Sequence, residues 1–132
     1  MSTKILKEWT TREGLNAKAV LYEMGFINGY VEAPDTIVHK EYEDLNINVH
    51  GGLTFKGHLS NDDRIYFGFD SAHYGDKNNL ELSLEEGLLN KEEYNTYKTE
   101  LKSMFNIEGT FRDLKYIVNE CDNLSVQLKD LK

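Results

Sequence analysis

Two stretches, Ile47-Asn-Val-His-Gly-Gly-Leu-Thr-Phe-Lys56 and Ile65-Tyr-Phe-Gly-Phe-Asp70, decide the fold of this chain. Apolar residues fall on the odd positions of both stretches, and polar residues or glycine fall mostly on the even ones. This period of two is typical of β-strands with one face on a core. The intervening Gly57–Asp63 is rich in turn-forming residues, so the pair predicts an antiparallel hairpin.

The register of this hairpin follows from its pattern. If both apolar faces lie on the same side of the sheet, odd residues must pair with odd residues, because a slip of one residue inverts every side chain. With the hairpin centred near Ser60, His50 lies opposite Asp70, and Thr54 lies opposite Tyr66.

The segments before the hairpin are also strand-like. Residues 17–24 and 26–33 contain β-branched and aromatic residues around Gly25 and Asn28-Gly29, which predicts two strands or one bent strand. A helix over Leu15–Met24 stays open as an alternative, because Ala, Leu and Met favour helices and short apolar segments are ambiguous.

Beyond residue 80 the apolar period becomes helical. Asn90-Lys-Glu-Glu93 resembles a capping box, and Gly109-Thr-Phe-Arg-Asp113 marks a second helix start. The apolar positions that follow these two starts are Tyr94, Tyr97, Leu101 and Met104, and then Leu114, Ile117, Cys121, Leu124, Leu128 and Leu131.

These patterns predict one α+β domain over residues 1–132, mainly β to about residue 80 and mainly α from about 81. We expect an N-terminal antiparallel sheet with a central hairpin, packed against two C-terminal helices. The stripe of the last helix is also compatible with a homodimer or higher oligomer.

Composition and charge exclude several classes of protein. The chain is 39% hydrophobic and 29% charged, which is typical of a globular domain. Its net charge of −8 opposes binding to long nucleic acids and to anionic membranes.

The single cysteine, Cys121, indicates a buried thiol in a reducing compartment. No apolar segment approaches the roughly 20 residues of a membrane span, and the N-terminus lacks a signal sequence. We therefore expect a cytoplasmic protein.

The candidate site is the group His50, Asp70, His73 and Asp76, which gathers metal-ligand and acid/base residue types. Imidazole carries protons near neutral pH, and a carboxylate can orient it. His50, Asp70 and His73 are therefore the candidate catalytic residues. All four are candidate ligands for a divalent metal, although their spacing matches no known zinc signature.

Neighbouring residues complete a possible ligand site. Glycine amides can approach an anion closely, hydroxyl groups can donate to it, and aromatic rings can stack on a base. The candidate ligand-binding residues are Gly51, Gly52, Thr54, Tyr66, Ser71, Tyr74 and Asp76. The alternative is that this cluster consists of polar residues that cap strand ends.

The blocks Val49-His-Gly-Gly-Leu-Thr-Phe55 and Phe67-Gly-Phe-Asp-Ser-Ala-His-Tyr-Gly-Asp76 resemble a group of small proteins of bacteriophages and bacterial mobile elements. The resemblance spans about half the chain, residues 26–76. Many members carry cysteine at the position of Ser71 and an alanine-like residue at that of Tyr74. The resemblance implies an accessory or counter-defence factor that acts in the host cytoplasm.

Three functions fit these observations. The favoured one is hydrolysis of a phosphodiester in a small nucleotide, such as a cyclic-nucleotide immune signal, by His/Asp acid–base or metal-assisted chemistry. The first alternative is a protein that sequesters such a nucleotide without cleaving it. The second is an acidic protein that inhibits a host protein by direct binding.

Overall fold

A computed structural model describes residues 2–101 and 109–131. The strands are β1 (Thr3–Thr10), β2 (Asn16–Tyr22), β3 (Ile27–Glu32), β4 (Phe55–Gly57), β5 (Tyr66–Phe69), β6 (Asp76–Lys77) and β7 (Thr110–Phe111). The helices are α1 (Leu80–Glu85), α2 (Lys91–Leu101) and α3 (Leu114–Asp130), and a 3-10 turn spans Tyr42–Asp44.

The main sheet has the order β1-β2-β3-β5-β4, and all its neighbouring strands are antiparallel. The C-terminal helix α3 packs against β3 and β2. This arrangement confirms the predicted α+β class. β6 and β7 form a separate parallel pair.

The segments before the hairpin are two strands, β2 and β3, which pair from Ala17↔Val31 to Leu21↔Ile27. The alternative of a helix over Leu15–Met24 is wrong. Side chains alternate along β2, so that Ala17, Ala19 and Leu21 enter the core under α3, and this period of two outweighs their helix propensity.

The first strand, β1, was not predicted from the sequence. Six of its eight residues are exposed, and lysines interrupt its apolar pattern. Its position depends on long-range contacts instead. Trp9 donates its indole N–H to Asp122 of α3, with 3.1 Å between nitrogen and oxygen, and thereby ties this edge strand to the helix.

Helix α3 confirms its sequence signals. Asp113 caps it by accepting the Tyr116 amide at 2.9 Å. Ile117, Cys121, Leu124 and Leu128 are fully buried against the sheet. Burial also raises the pKa of the Cys121 thiol. Because this stripe packs within the chain, a dimer through α3 would have to use the helix's other face.

Helix α2 begins at the predicted capping box. The Glu93 amide donates to Asn90 Oδ1 at 2.7 Å, and the Asn90 amide donates to Glu93 Oε1 at 3.0 Å. Tyr94 and Tyr97 pack on Leu80 and Leu89, so α2 packs against α1. The predicted apolar position Met104 lies outside the described residues. None of the described helices is long and apolar enough to cross a membrane.

The register of the central hairpin differs from the prediction. β4 and β5 are antiparallel, but Phe55 pairs with Gly68 and Gly57 pairs with Tyr66. The predicted pairings of His50 with Asp70 and of Thr54 with Tyr66 are therefore wrong. Residues 47–54 are not a strand, because Gly51 and Gly52 adopt φ of +68° and +78° in a turn.

The physical reason is that both faces of the sheet are apolar. Phe67 and Phe69 face α3, whereas Phe55 packs on the opposite face, with its ring edge-on to Tyr30 at a centroid distance of 5.3 Å. A period of two does not distinguish a strand whose aromatic residues face the main core from one whose aromatic residues face a second core.

The segment between β4 and β5 closes this second face. Buried Lys18 contacts Asp62 with 2.9 Å between Nζ and Oδ2, and the Tyr66 hydroxyl donates to the same oxygen at 2.7 Å. Burial raises the pKa of Asp62, but the hydrogen bonds from Lys18 and Tyr66 outweigh it and hold the pKa well below its usual range. The Asp62 carboxylate therefore stays charged and anchors the loop.

We predict that Gly68→Ala destabilises the protein by about 1–3 kcal/mol, the usual cost of overpacking a core. An added Cβ would lie 2.5 Å from the Tyr30 ring, and that ring is buried and fixed by its hydrogen bond to Tyr22. Urea unfolding measures the change. Gly57→Ala is the matched control, because the atoms nearest to its Cβ would belong to the far end of the Phe55 ring, the first of them at 3.2 Å. Equal stability of the two variants would contradict the packing described for this face.

Candidate functional site

The first wall of the candidate site is the turn at residues 49–52. Val49 is buried in the core under α3, and the Gly52 amide closes the turn by donating to the Val49 carbonyl at 2.8 Å. Because Val49 points inward, its neighbour His50 is placed at the surface of the core, with only 13% of its side chain exposed.

The second wall is the segment from Asp70 to Asp76 that follows β5. The Asp70 carboxylate accepts the Ala72 amide at 3.2 Å, and the Asp76 amide donates to the His73 carbonyl at 2.9 Å. Gly75 permits this second turn with a φ of +90°. The turn brings Asp76 back toward the strand end and leaves His73 beside the first wall.

The carboxylate that contacts His50 is that of Asp76, not that of Asp70. His50 Nε2 lies 2.7 Å from Asp76 Oδ2. The side chain of Asp76 is 1% exposed, so this carboxylate contacts the His50 ring from the protein interior. Asp76, which was predicted to be a ligand-binding residue and a candidate metal ligand, is thus the partner of the His50 imidazole in the structure.

Asp76 also holds two other groups. Its Oδ2 accepts the His73 amide at 3.1 Å, and its Oδ1 accepts the Arg112 Nε at 3.0 Å. Burial raises the pKa of Asp76, but the hydrogen bonds from His50, Arg112 and the His73 amide together outweigh it and lower the pKa. Asp76 is therefore an ionised carboxylate in a buried place.

The other ring nitrogen of His50 faces α3. Nδ1 lies 2.8 Å from the hydroxyl of Tyr116, and the two rings meet edge-on. The backbone amide of His50 donates to Glu120 Oε1 at 2.8 Å. Burial and the charge of Glu120 raise the pKa of Tyr116, so its hydroxyl stays protonated.

Asp70 accompanies the second imidazole. His73 Nε2 lies 2.8 Å from Asp70 Oδ1, and both side chains are about one-third exposed (34%). The carboxylate lies off the ring's N–H direction, so the contact is a close charge contact, and Nε2 has no hydrogen-bond partner among the described residues. The ring centroids of His73 and His50 are 5.9 Å apart.

Gly51 makes this proximity possible. A Cβ on Gly51 would lie 2.1 Å from His73 Nε2, so any side chain there would displace the imidazole. Gly51 is therefore required twice, for its positive φ and for the approach of His73.

The remaining predicted ligand-binding residues are dispersed. Tyr66 is buried on the opposite face of the sheet with Asp62. Ser71 is buried and donates its hydroxyl to the Ile27 carbonyl at 2.8 Å, which fastens the second wall to β3. Thr54 is exposed, and its amide donates to the Gly68 carbonyl. Tyr74, next to His73, is fully exposed.

The four predicted metal candidates divide into two pairs, His50 with Asp76 and His73 with Asp70. Within residues 2–101 and 109–131, no three His, Cys, Asp or Glu side chains are grouped in a way that could hold a metal ion.

Three residues of the site, Arg112, Tyr116 and Glu120, were not predicted from the sequence. Tyr116 and Glu120 are four residues apart and so lie on one face of α3, and Arg112 directly precedes the helix cap. The signal that could have identified them is this row of polar residues beside the apolar stripe of α3. The pattern could not indicate that the turn at 49–52 would cover the edge.

Comparisons with protein-family models, with curated proteins and with solved structures gave no match to this chain.

We predict that Asp76→Asn destabilises the protein by about 3–5 kcal/mol, the cost of removing one partner of a buried charge pair. The variant keeps the shape of the side chain but leaves Arg112 without its counter-charge. Asp70→Asn is the matched control, because a contact this exposed contributes about 1 kcal/mol or less. Chemical denaturation of both variants tests this. Equal losses of stability would contradict the central position of Asp76.

Proposed function

We propose that this protein hydrolyses a phosphodiester bond in a small nucleotide, with His50 as the base and His73 as the acid. One observation carries the proposal. The Tyr116 hydroxyl, the His50 imidazole and the buried Asp76 carboxylate are connected in a chain, and a second imidazole lies beside it.

The order hydroxyl, imidazole, carboxylate is the connectivity of the acid–base relay in many hydrolases. In this proposal the Asp76 carboxylate accepts a hydrogen bond from the protonated Nε2 of His50. The lone pair of His50 Nδ1 then faces the Tyr116 hydroxyl. The raised pKa of Tyr116 means that its hydroxyl transmits a proton rather than attacking as a preformed phenolate.

In the proposed step, water attacks the phosphorus atom of the nucleotide. A water oxygen bonds to phosphorus while the bond from phosphorus to the leaving oxygen breaks. The water proton passes to the Tyr116 oxygen, and the Tyr116 proton passes to His50 Nδ1. The leaving oxygen takes a proton from the His73 imidazolium, which the Asp70 carboxylate 2.8 Å away stabilises.

The surroundings favour a small nucleotide over a polymer. The net charge of −8 repels a long polyanion, whereas a small ligand needs only a local site. Tyr74 is fully exposed beside His73 and offers a ring for stacking on a base. The resemblance to phage proteins supports an immune-signal nucleotide in the host cytoplasm as the substrate.

The second candidate is sequestration of the nucleotide without cleavage. The observation that favours it is that the polar atoms of the site already have partners within the protein. Both ring nitrogens of His50 and both carboxylate oxygens of Asp76 make such contacts. Such a network also serves as a rigid wall for a bound ligand.

The decisive experiment incubates the pure protein with cyclic and linear nucleotides, with and without EDTA, and then identifies the small molecules released by heat denaturation. We expect cleaved products in both conditions. Intact nucleotide released only on heating would replace hydrolysis with sequestration. The absence of both products and bound nucleotide would overturn both candidates.

We predict that His73→Gln and Tyr116→Phe each lower kcat by about 10²- to 10⁴-fold, the usual contribution of a positioned acid or base. Both changes conserve the size of the side chain, so the folded fraction should remain close to that of the wild type. His58→Gln is the control, because His58 is exposed on the β4–β5 loop and its ring forms a hydrogen bond with the Arg64 carbonyl. Full turnover in both site variants would contradict the assignment of roles.

A further inference from the structure

We propose that the guanidinium group of Arg112 binds a phosphate group of the nucleotide through its two terminal nitrogens. This inference deepens the proposed hydrolysis, because it names the side chain that recognises the anionic part of the substrate. It rests on the proposed hydrolysis for its catalytic meaning. The binding of phosphate by Arg112 is measurable without any turnover.

The position of the guanidinium is set by two contacts within the site. Its Nε donates to Asp76 Oδ1 at 3.0 Å, and its central carbon lies 5.0 Å from the centroid of the Tyr116 ring, within the range of a cation–π contact. The group is thus held by a buried carboxylate and by an aromatic ring before any ligand arrives. A donor that is already ordered loses little conformational freedom on binding.

The contact with Asp76 occupies only part of the hydrogen-bonding capacity of Arg112. A guanidinium carries five N–H donors in a planar fork, and Asp76 accepts the one on Nε. The N–H groups of the terminal nitrogens form no hydrogen bond within the part of the chain that the structure describes. Two such parallel donors match two oxygens of a phosphate group.

The exposure of the two partners shows which charge a ligand meets. The side chain of Asp76 is 1% exposed, whereas that of Arg112 is 28% exposed. The cation therefore lies between the buried carboxylate and the solvent. This matters for an anionic ligand, because Asp70 and Glu120 also lie near the two imidazoles and the chain carries a net charge of −8. An anion needs a local positive charge to bind in such surroundings.

The guanidinium also lies next to the relay in which the proposed reaction takes place. It contacts the ring of Tyr116, and the hydroxyl of that ring lies 2.8 Å from His50 Nδ1. In the proposed step the proton of the attacking water passes to this hydroxyl. A phosphate bound by Arg112 would therefore lie where the water attacks. The guanidinium would then also stabilise the negative charge that develops on the phosphate oxygens.

The first test follows the ¹⁵Nε and ¹³Cζ NMR signals of the arginine side chains in the wild-type protein during a titration with inorganic phosphate at constant ionic strength. We expect saturable shifts of the Arg112 signals. Arg64 is the internal reference, because it is 52% exposed and pairs with Asp62 in the loop on the opposite face of the sheet. Unmoved Arg112 signals, or equal shifts of Arg64, would overturn the proposal.

The second test measures the affinity for inorganic phosphate of Arg112→Gln and Arg112→Lys by calorimetry. We expect Kd to rise about 10-fold or more in Arg112→Gln, the usual effect of removing a charged hydrogen-bond donor. The rise should be smaller in Arg112→Lys, which keeps the charge but not the fork. Arg64→Gln is the control and should bind as the wild type does. Unchanged affinity in both Arg112 variants would overturn the proposal, and the NMR titration of the wild type decides the question if a variant does not fold.

The third test separates this inference from the proposed hydrolysis. If nucleotides are cleaved, inorganic phosphate should inhibit competitively, and Arg112→Lys should raise KM and the inhibition constant of phosphate together. A fall in kcat with an unchanged inhibition constant would assign Arg112 a merely structural role. If no nucleotide is cleaved while phosphate still shifts the Arg112 signals, the hydrolysis fails and the phosphate site stands.

Discussion

The buried carboxylate of Asp76 is the constraint on which the rest of the site depends. It accepts hydrogen bonds from the His50 ring, from the His73 amide and from Arg112. These donors belong to the turn at 49–52, to the segment after β5 and to the segment between β7 and α3. An ionised group in a buried place is costly unless it is fully paired, so the carboxylate stabilises only the arrangement in which all three segments meet.

The two-sided sheet explains how the chain can position such a site. One face packs against α3, and the other is closed by Phe55, Tyr30 and Tyr66 under the loop that Asp62 anchors. With both faces packed, the end of β5 has a fixed position, and Ser71 fastens the segment that follows to β3. The turns that carry His50 and His73 therefore stand on packed elements, which is what the proposed acid–base chemistry would require.

Sequence patterns predicted most of the architecture for identifiable reasons. α3 has a strong cap at Asp113 and an unbroken apolar stripe, and both signals are local. β2 and β3 were predicted from their β-branched and aromatic residues, with a helix over Leu15–Met24 left open, because their local pattern is ambiguous. The register of β4 and β5 was not predictable from alternation, because the period is the same whichever core an aromatic side chain faces. β1 was missed because its contacts, such as that of Trp9 with Asp122, join distant parts of the sequence.

The candidate site shows the same division between local and long-range information. His50, Asp70, His73 and Asp76 were recognisable by residue type, and the structure brings them to one place. Which carboxylate accompanies which imidazole depends on the two turns, and the strand register assumed from the sequence paired them incorrectly. Arg112 and Tyr116 come from the other end of the chain, so only the packing of α3 could reveal their position beside His50.

The titration of the Asp76 side-chain carboxyl, followed by its ¹³C NMR signal in the folded protein, tests the central position of this residue most directly. Because its pKa is lowered on folding, its contribution to stability is present above the ordinary aspartate pKa of about 3.9 and is lost as the pH falls through the folded value. We predict a midpoint below that of an exposed aspartate, with the carboxylate ionised until acid unfolds the chain. A midpoint at or above about 4 in the folded protein would contradict the account.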